Sequence, residues 1–504
     1  MSKIRVLDNV YDLITINMED RFKDNVAFRF YDTANDAVTT ILYKDYVQDI
    51  RKAVNYFQST IPEIKGKKIC LLTKNSYEYA VNTFGVVAAG AVLVLLNQRK
   101  SWDELSYELG LVEPDAILTD GDDYGFNDQL KAAYGDILRP MDGFRSYEPA
   151  QLTRCIDHEA LMVLMFTSGT TGRSKGVMLS EKNFFSVMRA HTQIGEHMMA
   201  YKHEPDLVMS QYTVLPMFHL GAFICLFSWA HAGWALNVSS DIRNFYKEVK
   251  RMPSQAMAVV PVIMNSLHHD VMRGRKDRLG ELWVPICSSA MFDPQVMLDM
   301  AEHGMFVVQT YGSTETCGDG IINYAQDAKH IGAVGQGNDY LDYKIAEDGE
   351  LCMRGDSIML GYYKDPEATA EVIDADGRSG PQGRGRLLFP DRPQEEPHHS
   401  GQRREHQPRR AGRHRGQVRS REGMCCKRNG QEDRRGGLLR RGQTAAGAGL
   451  YHRGKPHPAA VQAYERSGVQ HRAAAAQRCR QTAAPVIRMR SNARMHKRAD
   501  RPAD

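Results

Sequence analysis

The sequence predicts an α/β fold with mostly parallel sheets flanked by helices, followed by a terminal segment that lacks a core. Short β-branched runs alternate with helical stretches over the first three quarters of the chain, which is typical of parallel sheets. Apolar residues make up 42% of the 504 residues, enough for a sizeable core. Beyond residue 377 the composition changes abruptly, so we predict a large domain over 1–377 and a separate segment over 378–504.

Strand and helix patterns alternate from residue 67 onward. Ser101 stands three residues before Glu104, the spacing of a capping box, and Asn75 or Ser76 can begin the preceding helix. The predicted elements are a strand at 67–73, a helix at 75–90, a strand at 91–97, a helix from 101 to 110, and later strands at 256–261, 305–310 and 349–355. This order favours a fold of repeated strand–helix–strand units.

A segment rich in glycine and hydroxyl side chains, TSGTTGRSKGV (167–177), directly follows the buried-strand pattern LMVLMF (161–166). Glycines allow successive N–H groups to form an anion-binding nest, and Lys175 adds a positive charge. A helix that begins after Ser180 follows. The pattern predicts a loop that binds a polyphosphate. It differs from a Walker A loop because Gly176, not Ser or Thr, follows the lysine; a flexible surface loop is the alternative.

The string FTSGTTGRSKGV closely resembles the phosphate loop of the adenylate-forming superfamily, which includes acyl-CoA synthetases, luciferases and the adenylation domains of peptide synthetases. The resemblance continues in order over about residues 40–377. Its further segments are NSYEYAVNTFGVVAAGAVLVLLNQR (75–99), the gate-like LPMFHLG (215–221), the adenine- and magnesium-motif-like YGSTE (311–315) and GELCMRGDSIMLGYYKDPEAT (349–369).

The resemblance implies a role for each matching residue. The loop residues that would wrap the β- and γ-phosphates are Thr167, Ser168, Gly169, Thr170, Thr171 and Gly172, with Lys175 beside them. Tyr311 would stack on adenine with Gly312 next to it, Thr314 would bind the α-phosphate, and Glu315 would bind Mg²⁺. Ser289 and Ala290 take the place of the family's adenine loop, although CSSAM departs from the usual Gly-Ala-Pro pattern.

The gate-like motif LPMFHLG (215–221) indicates which class of carboxylic acid the protein would activate. By resemblance, His219 would close the carboxylate tunnel; by itself, a histidine beside Phe218 is as consistent with a packed core residue. Amino-acid-activating relatives place an aspartate just after this aromatic position, whereas this chain has His219, Leu220 and Gly221. An uncharged acyl or aryl acid is therefore favoured. The apolar stretch 222–236 can either line an acyl pocket or belong to the core.

The implied reaction joins a carboxylic acid to ATP as an acyl adenylate with release of pyrophosphate, and then forms a thioester with coenzyme A. The implied cofactors are ATP, Mg²⁺ and coenzyme A. A stand-alone adenylating enzyme that loads a carrier protein is an alternative with the same large domain. A second alternative is a non-catalytic nucleotide- or RNA-binding protein that uses its basic terminal segment. Carboxylate-dependent ATP–pyrophosphate exchange separates the enzymes from the binder.

The terminal segment 378–504 contains 27 Arg, 3 Lys and only 10 acidic residues, and 11 of its 127 residues are Leu, Ile, Val or Phe. Such a composition predicts disorder. Codons can be chosen for 389–413 that, read one base later, encode FLTGRKKNLIILGNGENISPDELD, which resembles the family's hinge and the first helix of its small domain. We therefore expect an out-of-frame translation that removes the ribose-binding aspartate, the hinge and the catalytic lysine, and so impairs this copy. The alternative is a basic arm that binds nucleic acid.

Cysteine usage and the N-terminus predict a cytoplasmic protein. The nine cysteines form no CxxC pair, and those at 70, 155, 225, 287, 317 and 352 lie mostly in apolar runs, as expected of buried reduced thiols. MSKIRVLDNV lacks an apolar signal core. The longest apolar run, 84–96, has 13 residues, too few to span a bilayer. We expect no membrane span and no specific nucleic-acid partner.

Overall fold

The computed structural model describes residues 7–32, 35–154, 157–167, 173–288, 292–338, 340–345, 351–373 and the backbone of 385–389. These residues belong to one unit of the chain. Its strands are β1 (Val26–Asp32), β2 (Ala37–Leu42), β3 (Lys68–Leu72), β4 (Val92–Leu95), β5 (Ala116–Thr119), β6 (Leu138–Pro140), β7 (Leu161–Thr167), β8 (Lys175–Ser180), β9 (Ser210–Thr213), β10 (Ala235–Val238), β11 (Ala256–Val259), β12 (Val284–Cys287), β13 (Val308–Ser313), β14 (Gly318–Asn323), β15 (Gln336–Gly337), β16 (Leu341–Ile345), β17 (Leu351–Gly355), β18 (Gly361–Tyr362) and β19 (Gly385–Phe389).

Helices connect most of the parallel strands. They are α1 (Val10–Asp12), α2 (Tyr43–Thr60), α3 (Tyr77–Ala88), α4 (Trp102–Val112), α5 (Asn127–Tyr134), α6 (Glu181–Lys202), α7 (Leu220–Phe223), α8 (Cys225–Ala232), α9 (Phe245–Arg251), α10 (Pro261–Met272), α11 (Pro294–Glu302) and α12 (Pro366–Val372), with a π-helix at Leu13–Arg21. Ser76 caps α3, and Ser101 and Glu104 form the predicted capping box of α4. Within the described residues, no helix is both long enough and apolar enough to cross a bilayer.

Two large sheets have parallel centres and antiparallel edges, which confirms the predicted fold class. A nine-stranded sheet has the order β15-β14-β13-β12-β11-β9-β10-β1-β2, and its centre from β13 to β1 is parallel. A seven-stranded sheet has the order β18-β8-β7-β4-β3-β5-β6, and its centre from β7 to β6 is parallel. Central strands such as β4 and β11 are buried at every position, as expected of sheets covered on both faces.

The predicted phosphate loop sits in a β-hairpin, and here the structure differs from the sequence prediction. Residues 175–177 were expected to belong to the loop, but Lys175 begins β8, which pairs antiparallel with β7. The strand forms because Val177 and Leu179 on one face are fully buried. The predicted helix then begins after Ser180, whose hydroxyl accepts a hydrogen bond from the Asn183 N–H.

Five residues of the terminal segment form a strand. β19 pairs antiparallel with β17 from Gly385 to Phe389, in an antiparallel three-stranded sheet with β16. This strand coincides with one of the few apolar runs of the segment, Leu387 to Phe389. The rest of 378–504, and with it the predicted domain boundary, lies outside the described residues. The described cysteines of the body are buried and form no disulfide, as predicted.

Candidate active site

The predicted phosphate loop connects the two strands of the β7–β8 hairpin. Thr167 at the end of β7 lies opposite Lys175 at the start of β8, so seven residues make the connection. Thr167 and Lys175 are both partly exposed at this edge of the sheet. The predicted loop residues Ser168, Gly169, Thr170, Thr171 and Gly172, and the predicted adenine-loop residues Ser289 and Ala290, lie outside the described residues.

A short strand from the last family-like segment adds to this hairpin. β18 pairs antiparallel with β8, with Tyr362 opposite Val177, and the Tyr363 N–H donates to the Gly176 carbonyl at 2.7 Å. As a result the ring of Tyr362 lies under the Lys175 ammonium, which is 4.9 Å from the ring centroid. Cation–π attraction therefore favours a position of this ammonium next to the predicted phosphate loop.

The same tyrosine reaches the predicted magnesium ligand. The Tyr362 hydroxyl donates to Glu315 Oε1 at 2.9 Å, and the Met359 N–H donates to the Glu315 carbonyl, also at 2.9 Å. Burial raises the pKa of Tyr362 well above its usual value, and the Glu315 carboxylate raises it further, so the phenol stays a proton donor. The structure thus brings Lys175 and Glu315 together on one side chain, although they are far apart in sequence.

The YGSTE segment leaves β13 and turns at once. Thr314, Glu315 and Thr316 form a single 3₁₀ turn, and the buried Thr316 hydroxyl bonds the carbonyls of Ser313 and Gly318 at 3.0 Å each. This turn fixes the backbone that carries both Thr314 and Glu315. Tyr311, two residues before the end of β13, and Thr314 are both half-buried.

Glycine at position 312 is required by the packing of two strands. A β-carbon there would lie 1.6 Å from the Gly318 carbonyl oxygen, because β14 crosses over Gly312 at a bulge. No other residue fits at this distance. The glycine of YGSTE therefore has a structural reason that is independent of the adenine role expected for it.

The C-terminal end of the predicted phosphate loop, at Ser174, is connected to α4 through Lys100. Lys100 donates to Ser174 Oγ at 2.9 Å and forms an ion pair with Glu108, whose side chain is fully buried. Burial raises the pKa of Glu108, while Lys100 opposes that shift. At the residue before Glu108, the Arg173 guanidinium lies 5.2 Å from the ring centroid of Tyr107. Lys100 thus places an ammonium at Ser174, the residue before Lys175.

His219 is exposed at the residue level, although the surrounding protein still desolvates its imidazole. Its ring contacts Phe218 at 4.4 Å between centroids, and it stands at the start of α7. Desolvation by the surrounding protein, together with the positive charges of Lys100 and Arg99, lowers its pKa to about 4. The imidazole is therefore neutral at physiological pH, and Lys100 and Arg99 are close enough to contribute to this shift.

A cavity lies between the face of the nine-stranded sheet and the helices α6 and α8. It is lined by Met188, His191, Thr192, Ile194, Gly195, Met198, Gln211, Gly221, Ile224, Cys225, Ser228, Trp229, His231, Ala232, Trp234, Ala258, Ile286, Ser288 and Thr310. None of these described residues is Asp, Glu, Lys or Arg.

The position of the cavity connects it to the YGSTE segment. Ser288 directly follows β12, and Thr310 lies in the parallel strand β13 just before Tyr311. Ligands bind at the carboxyl ends of strands in open α/β sheets. One side of the stretch 222–236 lines the cavity, through Ile224 and Cys225, while Phe223 and Phe227 pack into the core. The stretch therefore contributes both to a cavity wall and to the core.

The magnesium site is predicted to rest on one carboxylate. Within the described residues there is no group of three His, Cys, Asp or Glu side chains able to hold a metal ion. Mg²⁺ is commonly bound by one or two carboxylates together with substrate phosphates, so Glu315 beside the phosphate loop fits such an ion.

Sequence reasoning missed Tyr362 and Lys100. Tyr362 is part of the quoted segment 349–369, but its contacts depend on long-range pairing of β18 with β8 that local patterns do not reveal. Lys100 comes three residues after the strand pattern 91–97 ends. A cation just beyond a predicted strand was the only feature of the sequence that could have indicated its role.

Comparison with known proteins gives consistent matches. The family model described as AMP-binding enzyme matches residues 18–363. 4-Coumarate–CoA ligase-like 2 from Arabidopsis thaliana is 24% identical over 355 residues, 62% of this chain and 60% of the relative. 2-Succinylbenzoate–CoA ligase from Bacillus cereus is 27% identical over 327 residues, 61% of this chain and 63% of the relative. The chain thus spans about 60% of the length of these relatives.

Solved structures share the fold. O-succinylbenzoate coenzyme A synthetase from Bacillus subtilis, in complex with AMP, superposes with a TM-score of 0.61 at 18% identity and covers 75% of each chain. The N-terminal domain of FACL13 from Mycobacterium tuberculosis superposes with a TM-score of 0.62 at 21% identity, over 76% of this chain and 96% of that domain.

Proposed function

Since the chain belongs to the family of AMP-binding enzymes, we propose that it activates a carboxylic acid with ATP and then passes the acyl group to the thiol of coenzyme A. A carboxylate oxygen attacks the α-phosphorus, the bond from that phosphorus to the bridging oxygen breaks, and pyrophosphate leaves. The thiol then attacks the acyl carbon, releasing AMP and a proton. The observation that carries the proposal is the convergence of Lys175 and Glu315 on Tyr362.

The chemical difficulty is electrostatic, because a carboxylate must approach a triphosphate of like charge. Lys175 and Lys100, which contacts the Ser174 hydroxyl, supply positive charge at the C-terminal end of the predicted loop. Glu315 would hold Mg²⁺, which when bound neutralises phosphate oxygens. Catalysis then consists of charge neutralisation and fixed in-line geometry. Thr167 to Gly172 would wrap the β- and γ-phosphates, and Thr314 the α-phosphate.

We assign the acid to the cavity that ends at Thr310. Its described lining has no charged side chain, so it suits an uncharged acyl or aryl group and would leave an ammonium group without a counter-charge. His219, neutral and exposed two residues before Gly221 of the lining, is placed to cover the carboxylate end. Tyr311 would stack on adenine next to that end.

We further propose that residues 378–504 stand in place of the family's small domain through a shift of reading frame. The large domain would then bind ATP weakly, adenylate poorly and form almost no thioester. A protein with a cytoplasmic location is expected.

Carboxylate-dependent ATP–pyrophosphate exchange tests the function. A gene with the reading frame restored should encode a chain that catalyses exchange, and Lys175→Met and Glu315→Gln should abolish it. Lys182→Met is the matched control, because this lysine lies on α6 and pairs with Glu159 at 3.0 Å. Absence of exchange with every acid in a broad panel would refute the function.

A further inference from the structure

One polar side chain in the wall of the cavity has an unfilled hydrogen-bonding position. Gln211 is fully buried in β9, and its Nε2 donates to Thr213 Oγ1 at 3.3 Å. Its Oε1 is also buried and has no hydrogen-bond partner among the described residues. Because a buried amide oxygen without a partner is costly, its presence in a cavity wall indicates a ligand group that completes it.

The strand register places this side chain at the deep end of the cavity. Gln211 is level with Ala256 of β11, and Ala256 is level with Val284 of β12. Ser288, near the YGSTE end, comes four residues after Val284 along parallel strands. At about 3.3 Å per residue, Gln211 lies about 13 Å from the level of Ser288.

The walls between these two ends are mainly apolar. Trp229 and Trp234 contact each other at 5.0 Å between ring centroids, and methionines of α6 complete this side. The small residues Gly195 of α6 and Ala258 of β11 leave space for the ligand. A charged group at the deep end would lose its hydration without a partner charge, so the group next to Gln211 must be neutral and polar.

A hydroxyl satisfies this position in either orientation of the amide. The Thr213 hydroxyl can donate or accept, so it can bond either end of the Gln211 amide and leave the other end to the ligand. A hydroxyl on the ligand can likewise donate to the oxygen or accept from the nitrogen. A carbonyl or an ether can only accept, and therefore fits only one orientation.

We propose that the cavity selects carboxylic acids that carry a hydroxyl group at the end remote from the carboxylate, through a hydrogen bond with Gln211. The direction of the acid, with its carboxylate toward Thr310, rests on the proposed function. The hydroxyl preference itself is a property of binding and does not require turnover.

Titration calorimetry on the full chain tests this selection with two matched pairs of acids: octanoate with its ω-hydroxy derivative, and phenylpropanoate with its para-hydroxy derivative. In at least one pair the hydroxylated acid should bind roughly tenfold more tightly than its parent. The pair that shows the gain identifies the ligand as alkyl or aryl. Gln211→Met should remove the preference, so that the parent and the hydroxylated acid bind this variant equally.

Gln98→Met is the control, because Gln98 is also buried with an unpartnered Oε1 but does not line the cavity. It should keep the preference. If the parent and hydroxylated acids bind the unaltered chain equally, the inference is wrong while acid activation still stands. The same comparison decides the matter even if Gln211→Met does not fold. Loss of pyrophosphate exchange with the hydroxyl preference intact would instead overturn only the proposed function.

Discussion

The hydroxyl of Tyr362 donates a 2.9 Å hydrogen bond to the carboxylate of Glu315. The tyrosine comes from a two-residue strand at the edge of one sheet, and the glutamate from a turn after a strand of the other. This bond therefore joins the two sheets at the proposed ATP site. The same tyrosine also contacts Lys175, whose ammonium lies over its ring.

Removing this hydroxyl should weaken binding of Mg·ATP. In Tyr362→Phe the ring stays under Lys175, but Glu315 loses a hydrogen bond to a charged group, which is worth about 1.5 kcal/mol and so roughly tenfold in Kd. Calorimetry with and without Mg²⁺ measures the change, which should be larger with the metal. Tyr363→Phe, one residue on, is the control and should bind like the unaltered chain. Equal affinities for both variants would exclude a role of the bond.

The ion pair behind the loop should show strong coupling in unfolding experiments. Lys100→Met leaves Glu108 buried without its partner and should lower the free energy of unfolding by about 3 kcal/mol. Changing Glu108→Leu as well removes the buried charge and should restore most of that loss. Urea unfolding of the two single variants and the double variant measures the coupling. A double variant no more stable than Lys100→Met would contradict the account.

Gly312→Ala should disrupt the site through sterics alone. The new methyl group would overlap the Gly318 carbonyl, so we expect a loss of about 2–3 kcal/mol in stability together with weaker ATP binding. Gly110→Ala is the control, because a β-carbon there meets no atom within 4 Å and the residue lies in α4. That change should stabilise by about 0.5–1 kcal/mol. Thermal unfolding of both variants gives the comparison, and a stable Gly312→Ala chain would contradict it.

Stability should fall in mild acid partly because of His231. The side chain is 2% exposed, accepts from the Leu7 N–H and contacts the Phe227 carbonyl, and burial lowers its pKa to about 4. The unfolded chain takes up this proton near pH 6.5. The contribution of the neutral, buried His231 to the free energy of unfolding is therefore complete above about pH 6.5, and it is lost progressively as the pH falls toward 4.

Denaturant unfolding at two pH values measures this effect. Between about pH 7.5 and pH 5, the unaltered chain should lose about 2 kcal/mol more stability than His231→Gln, which cannot be protonated. An identical pH dependence of the two proteins would show that His231 does not titrate on unfolding.

The sequence allowed prediction of features set by local patterns. The strand–helix order, the caps at Ser76, Ser101 and Ser180, and the strand before the phosphate loop all depend on neighbours a few residues apart. β8 was missed because its apolar positions alternate within a stretch dominated by the glycine and lysine of the loop.

Features set by distant pairing could not be predicted. Tyr362 meets Glu315 only because β18 joins β8, and Gln211 faces a cavity only because α6 and α8 cover the sheet there. Sequence resemblance did single out Lys175, Glu315 and the neighbouring Thr314, but it gave no account of what holds them in place.

Binding of Mg·ATP to the chain tests the central claim most directly, because it asks whether the hairpin loop and the YGSTE turn hold the nucleotide. Calorimetry should give saturable binding that Lys175→Met weakens roughly tenfold or more, while Lys182→Met leaves it unchanged. Equal affinity of the Lys175→Met chain and the unaltered chain, or no binding by the unaltered chain, would contradict the assignment of this site.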